Sequence, residues 1–197
     1  MKKYSRSIPL IWLSLALLIV TTIVAANLRM SSPEQAVFDV LYRILQPFNP
    51  VLLILTQLGS LAMWLVSVVV AFAAKQRRAA LQLALSGGLA IVSTVLLKLL
   101  VARPRPFDAL EAITHYDKLA SGYGYPSGHT AIAVCMALVL WTVFPRSGRW
   151  LLAGLAAIVA LSRIGLGVHA PLDIVGGALI GFIAVRLVQK LYPLKQN

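Results

Sequence analysis

The sequence predicts an all-α, polytopic membrane protein: a bundle of six transmembrane helices with a short amphipathic helix after the first, forming one integral-membrane domain over residues 1–197. Three observations carry this. Of the 197 residues, 59% are hydrophobic and 12% charged, against about 45–50% apolar and about 25% charged in globular domains. Mean hydropathy is +0.85. Six apolar runs come close to the roughly 20 residues that a crossing helix needs. This composition excludes an ordinary soluble domain and a disordered chain. One cysteine excludes an internal disulfide scaffold and any cysteine-based zinc or iron–sulfur cage.

The first run is Ile8–Ala26. Its basic start (Lys2, Lys3, Arg6) and its Val24-Ala25-Ala26 end also suit a secretory signal. Its length of about 19 residues exceeds the usual signal core of about 7–15, so it is read as a retained helix. Cleavage would leave the topology of the other five unchanged. Residues 32–46 follow as an amphipathic surface helix. Val37, Val40, Leu41, Ile44 and Leu45 fall on one face, and Asp39 and Arg43 can pair on the other. Ser32 is the expected cap, Gln35 completes a capping box, and Pro33 sits at the first helical position.

The second and third spans, Pro50–Ala74 and Ala79–Val101, are split by Lys75-Gln76-Arg77-Arg78. Residues 102–126 hold prolines, glycines, Asp108, Glu111 and Asp117, and read as an extramembrane loop. Ser127–Phe144 and Trp150–Val168 are separated by Pro145-Arg146-Ser147-Gly148-Arg149, and Pro171–Gln189 closes the set. Gly87-Gly88 and Gly177-x-x-x-Gly181 read as close helix packing. Cys135 reads as a small buried hydrophobe. Trp12, Trp141 and Trp150 fit an aromatic belt at one interface, whereas Trp64 lies deeper and does not.

Orientation follows from basic residues in short loops. Six spans put both termini on one side, with Lys2, Lys3, Arg6, Lys75, Arg77, Arg78, Arg146, Arg149, Arg186, Lys190 and Lys195 and no acid. The other side takes Arg29, Arg43, Lys98, Arg103, Arg105, Lys118 and Arg163 with all six acids. The balance is +11 against +1 of the total +12, so both termini are expected in the cytoplasm of a cell (inner or plasma) membrane. The charge is therefore a topology signal. The bases are dispersed over short loops, which argues against nucleic acid as a partner.

Two of the outer-side charges stand out. Lys98 lies near the end of an apolar run and Arg163 lies inside one. A central Lys or Arg costs about 2.5–3.5 kcal/mol on insertion scales, so such residues snorkel, pair or line a functional cavity. Lys98, Arg105, Arg163, His129 and His169 all reach the same membrane face. Three cations and two imidazoles there suit a phosphate group. Pro126-Ser127-Gly128-His129 opens the fourth span. Ser127 is either a plain helix cap or part of an anion site with the Gly128 N–H. His169 and Asp173 stand four apart around Pro171, so the carboxylate can orient the imidazole as in a nucleophile–orienter pair. His115 reads as a solvated loop residue.

These residues, in this order, resemble the type 2 phosphatidic acid phosphatase superfamily. Lys98 followed after six residues by Arg105-Pro106 matches its first motif, Pro126 to His129 its second, and Ser162-Arg163, His169 and Asp173 its third. Arg103-Pro104 is a second Arg-Pro pair two residues early; the spacing favours Arg105, which makes Arg103 a helper at most. The resemblance implies a roster of roles. His169 would attack phosphorus to form a phosphohistidine, Asp173 would orient it, and His129 would protonate the leaving oxygen. Lys98, Arg105 and Arg163 would hold the phosphate oxygens, with Ser127 and the Gly128 N–H. Ser162 receives no chemistry. The motifs lack the carboxylate cluster that Mg²⁺ favours, so turnover without metal or other cofactor is expected, with the cations stabilising the charge.

The resemblance implies a membrane lipid phosphate or diphosphate as substrate. Undecaprenyl diphosphate comes first because the site faces out of the membrane, then phosphatidylglycerol phosphate or phosphatidic acid. The alternatives are a lipid phosphotransferase of the same superfamily and a non-enzymatic lipid-phosphate binding or transport protein. The latter has use for Lys98, Arg105 and Arg163 but none for His129, His169 and Asp173.

Overall fold

The computed structural model describes residues 7–193. Lys2, Lys3, Arg6 and Lys195, used for the orientation, lie outside them. Helices account for the regular structure, and no strand occurs among the described residues. In chain order the helices are α1 (Ser7–Ala25), α2 (Ser32–Leu45), α3 (Asn49–Leu55), α4 (Leu61–Ala73), α5 (Arg77–Val101), α6 (Pro106–Ala109), α7 (Gly128–Leu140), α8 (Arg146–Gly165) and α9 (Pro171–Leu191). Short 3₁₀ turns at Gln46–Phe48 and Thr56–Gly59 flank α3.

Four helical stretches are long and apolar enough to cross a membrane: Ser32–Gly59, Arg77–Ala109, Arg146–Gly165 and Pro171–Leu191. Pro9–Ala25, Leu61–Ala73 and Gly128–Leu140 are apolar but shorter. Thus α4 and α7, with 13 residues each, extend about 20 Å, less than the roughly 30 Å of a hydrocarbon core.

The second apolar run differs most from expectation. Pro50–Ala74 is not one helix. It breaks at the Thr56–Gly59 turn, and Ser60 starts α4 by accepting a hydrogen bond from the Met63 N–H on its Oγ (3.2 Å). The cause is tertiary. A Cβ on Gly59 would stand 2.6 Å from both the His129 carbonyl oxygen and Val159 Cγ1. Only glycine lets α7 and α8 come so close.

The residues of α2 also divide differently. Its cap is Ser31, whose Oγ accepts from the Glu34 N–H (3.4 Å), rather than Ser32 with Gln35. No ion pair joins Asp39 and Arg43 among the described residues. Phe38 and Tyr42 are the buried, stacked pair that meets Ile164 of α8. Val37, Val40 and Ile44 are at least half exposed. Of the apolar stripe, Leu41 and Leu45 also pack against buried residues, while the other three face outward.

The bundle centres on α7, which packs against α5, α8 and α9, while α1 lies on α9 and α4 on α5. Leu83, Ala90, Ala131, Cys135, Val139 and Ile180 form the main core. Cys135 is fully buried, as the composition suggests. Small residues allow the helices to approach closely. A Cβ on Gly181 would lie 2.5 Å from the Ala131 carbonyl oxygen. Gly181→Val is therefore expected to lower stability by about 1–3 kcal/mol through overpacking, read as an earlier thermal transition in detergent. Gly87 makes room for the Trp64 indole, whose Nε1 donates to the Leu83 carbonyl (2.8 Å). This explains a tryptophan away from the interface. Gly88 meets nothing within 4 Å and has no such role. The outside of the bundle is apolar: Trp12, Phe72, Leu96, Leu99 and Leu100 are all more than 60% exposed. A surface of this size and character matches lipid rather than water.

Candidate active site

The functional candidates come from helix ends on one side of the bundle. Helix α5 ends with Lys98 in its last turn and Ala102 in the left-handed conformation (φ 52°). Arg103-Pro104-Arg105-Pro106 cannot continue it, because a residue before proline is kept from the α region. Helix α8 brings Arg163 to its last turn. Ser127 caps α7 through its Oγ, which accepts from the Thr130 N–H (3.4 Å) and lies 3.1 Å from Thr130 Oγ1. Gly128 and His129 fill the first turn. Pro171 starts α9, and the Asp173 Oδ2 accepts the Ala170 N–H at 2.9 Å.

The His169 ring is held at both nitrogens. Nδ1 lies 3.2 Å from Asp173 Oδ2, and Nε2 lies 3.4 Å from Arg105 Nη1. His169 is 2% exposed and Asp173 fully buried. Burial, followed by the nearby Lys98, Arg105 and Arg163 charges, holds the His169 imidazole well below its usual pKa.

The cations fall into two kinds. Lys98 donates to the Gly124 carbonyl (3.1 Å) and to that of Tyr123. Arg105 donates to Gly122 (2.8 Å), Ser121 (2.8 Å) and Val168 (3.0 Å) carbonyls. Among the described residues, the hydrogen bonds of these two cations go only to neutral backbone oxygens and the His169 ring. Arg163, in contrast, has a counter-charge: its Nη1 donates to Asp117 Oδ2 (2.9 Å) and to Thr56 Oγ1 (3.0 Å). Its buried Nε has no hydrogen-bond partner among the described residues. The broken second run thus supplies Thr56 to this arginine. Residues 121–125 wrap the site and are pinned to α1, where the Tyr125 hydroxyl lies 2.9 Å from Thr21 Oγ1.

All eight residues singled out by the motifs lie at this one end: Lys98, Arg105, Ser127, Gly128, His129, Arg163, His169 and Asp173. His129 is half-buried, and no described hydrogen bond holds its ring. Ser162 turns away from the group, donating to the Val159 carbonyl (2.6 Å). His115 is half-buried and stacks on Phe107 with ring centroids 4.0 Å apart, rather than standing in solvent.

Three charged residues are here that the motifs do not name. Arg103 is buried and pairs with Glu34 and Asp173. Asp117 pairs with Arg163. Burial alone would raise the Asp117 pKa, but attraction and the hydrogen bond from Arg163 hold it below the usual carboxylate value. A carboxylate whose folded pKa is depressed stabilises the fold above its unfolded pKa, and that contribution is lost as pH falls through the folded value. The melting temperature should therefore fall as pH drops below about 4, and Asp117→Asn should lack this component. Asp117→Ala leaves Arg163 buried without its counter-charge and should cost about 3–5 kcal/mol.

A helical bundle with an apolar exterior defines a membrane-type protein, and at one end of it a buried histidine–carboxylate pair stands among cations. The chain belongs to the PAP2 superfamily, whose family model matches residues 79–196. An undecaprenyl-diphosphatase of Sulfolobus acidocaldarius is 29% identical over 161 residues, 79% of this chain and 77% of that protein. The crystal structure of Aquifex aeolicus LpxE superposes with a TM-score of 0.69 at 28% identity, covering 76% of this chain and 93% of that one. A PAP2-type phosphatidylglycerolphosphate phosphatase from Bacillus subtilis shares the fold at 23% identity and TM-score 0.69, covering 89% and 94%.

Proposed function

We propose that this protein is a membrane lipid phosphatase that hydrolyses a lipid phosphate or diphosphate through a phosphohistidine on His169. The carrying observation is the His169 ring, tied through Nδ1 to Asp173 with Nε2 beside Arg105. Nε2 forms the bond to phosphorus while the bond from phosphorus to the leaving oxygen breaks. His129 gives that oxygen a proton. Water then attacks the phosphohistidine, with the neutral His129 taking its proton, and releases phosphate. Lys98 and Arg105 exchange carbonyl partners for phosphate oxygens, and Arg163 adds a third cation. The Gly128 N–H and Ser127 lie at the positive start of α7 and complete the cradle. These cations stabilise the transition state without a metal ion.

Among substrates we favour undecaprenyl diphosphate, supported by the relative of that name from Sulfolobus acidocaldarius. In this reading the whole chain is one six-span domain, both termini are cytoplasmic, and the site opens at the outer face. The basic loops support it. The test is phosphate release by the purified protein in detergent with EDTA present, using undecaprenyl diphosphate, phosphatidylglycerol phosphate and phosphatidic acid. Release that persists with EDTA and disappears in His169→Ala is expected, fastest for undecaprenyl diphosphate. A folded protein that releases phosphate from none of them contradicts the proposal.

A further inference from the structure

We propose that Glu34 and Arg103 are positioning residues that fix the carboxylate of Asp173, and through it the ring of His169, for attack on phosphorus. This rests on the lipid phosphatase reading and adds two residues that its three motifs omit. The contacts form one chain. Arg103 Nη1 donates to Asp173 Oδ1 (3.1 Å) and to Glu34 Oε1 (3.0 Å), and Nη2 donates to Glu34 Oε2 (2.6 Å). Glu34 Oε1 also accepts the Leu172 N–H in the first turn of α9 (3.1 Å). Asp173 Oδ2 is then left to the Ala170 N–H (2.9 Å) and to His169 Nδ1 (3.2 Å).

Every donor and acceptor in this chain is fixed by another. Asp173 has a partner on each oxygen, so its carboxylate plane cannot rotate without breaking a contact. Arg103 meets Glu34 as a two-pronged fork, the geometry that distinguishes guanidinium from ammonium. Arg103 is 1% exposed, Glu34 8% and Asp173 0%. Groups this buried hold one arrangement rather than exchanging with water. Arg103 therefore differs from its neighbour Arg105. Its charge is spent on two carboxylates, whereas Arg105 keeps neutral partners and faces the histidine. Glu34 reaches the site from α2, which lies before all three motifs, and its link to Leu172 ties that helix to the start of α9. Partners of this kind behind a functional histidine usually set its tautomer and orientation.

The test compares Glu34→Gln, Arg103→Met, Arg103→Lys and the double variant Glu34→Leu/Arg103→Met, using the lipid that the wild-type protein hydrolyses fastest. The double variant removes both charges at once and leaves neither buried without the other. Removal of either charge is expected to lower kcat about 10–100-fold, with KM within about threefold. The double variant should lose no more than the worse single variant, because the two act as one unit. Arg103→Lys should recover part of the rate by restoring a cation beside Asp173. The single-turnover rate constant, with enzyme in excess over lipid, should fall with kcat. That constant does not depend on the folded fraction, so a purely structural ion pair would leave it unchanged. A folded Glu34→Gln or double variant with the wild-type single-turnover rate constant overturns the positioning role while leaving the phosphatase intact. Absence of wild-type hydrolysis overturns both.

Discussion

Replacing His169 by alanine is expected to lower lipid-phosphate hydrolysis by about three orders of magnitude or more, equivalent to at least about 4 kcal/mol of transition-state stabilisation. Among the described residues, only the His169 ring is clamped between Asp173 and Arg105. Cys135 is buried in the core, held to the Ser86 and Gly181 carbonyls, and Ser127 is engaged as a helix cap. Binding should survive far better than turnover, because Lys98, Arg105 and Arg163 remain. Phosphate release under steady-state conditions, paired with retention of the lipid by the variant, separates the two effects. A variant that keeps its turnover would remove His169 from the chemistry.

The second large effect is at His129. Its alanine variant is expected to lose about 10²–10⁴-fold in kcat on a lipid phosphate, the range for a lost general acid. The loss should depend on the leaving group. An aryl phosphate such as p-nitrophenyl phosphate departs without a proton, so His129→Ala should affect it far less. His169→Ala should affect both substrates alike. The placement suits this division: His129 is half-buried in the first turn of α7 with its ring unheld, whereas His169 is buried and clamped. Equal losses on the lipid and on the aryl phosphate would contradict an acid role for His129.

The helical, apolar character of the chain and the gathering of its motif residues were legible because both are written locally. Lys98, His129, Arg163 and Asp173 sit in the first or last turns of helices, where prolines, glycines and hydropathy mark the ends. What hydropathy does not register is an interruption inside an apolar run. Pro50–Ala74 breaks at Thr56–Gly59 because Gly59 must pass the backbone of α7, and no window of uniform apolarity contains that information. The capping of α2 shifted by one residue, from Ser32 to Ser31, because adjacent serines offer the same oxygen. Which side of α2 meets the protein was not legible: beside lipid both sides of a helix can be apolar, so the stripe of Val37 and Ile44 says nothing about the burial of Phe38 and Tyr42.

The missing charges were invisible for a related reason. Glu34, Arg103 and Asp117 are polar residues in or beside stretches that the sequence reads as extramembrane, where solvent is the ordinary partner. One signal was available for Arg103. A carboxylate at the buried start of a helix needs more than a histidine to balance it, and the nearby Arg-Pro-Arg-Pro sequence offers two cations. Spacing chose Arg105 for the phosphate, which left Arg103 for Asp173. Glu34 carries no comparable mark in the sequence, since only the packing of α2 brings it to the site.

The most direct test of the central claim is to trap the covalent intermediate. Purified protein is mixed with a lipid phosphate carrying ³²P in the group to be transferred, quenched in alkali within milliseconds, digested and mapped. The expected result is label on the peptide containing His169, stable in alkali, lost in acid, and missing from His169→Ala. Label on another residue, or full turnover by a His169→Ala protein, would contradict the account.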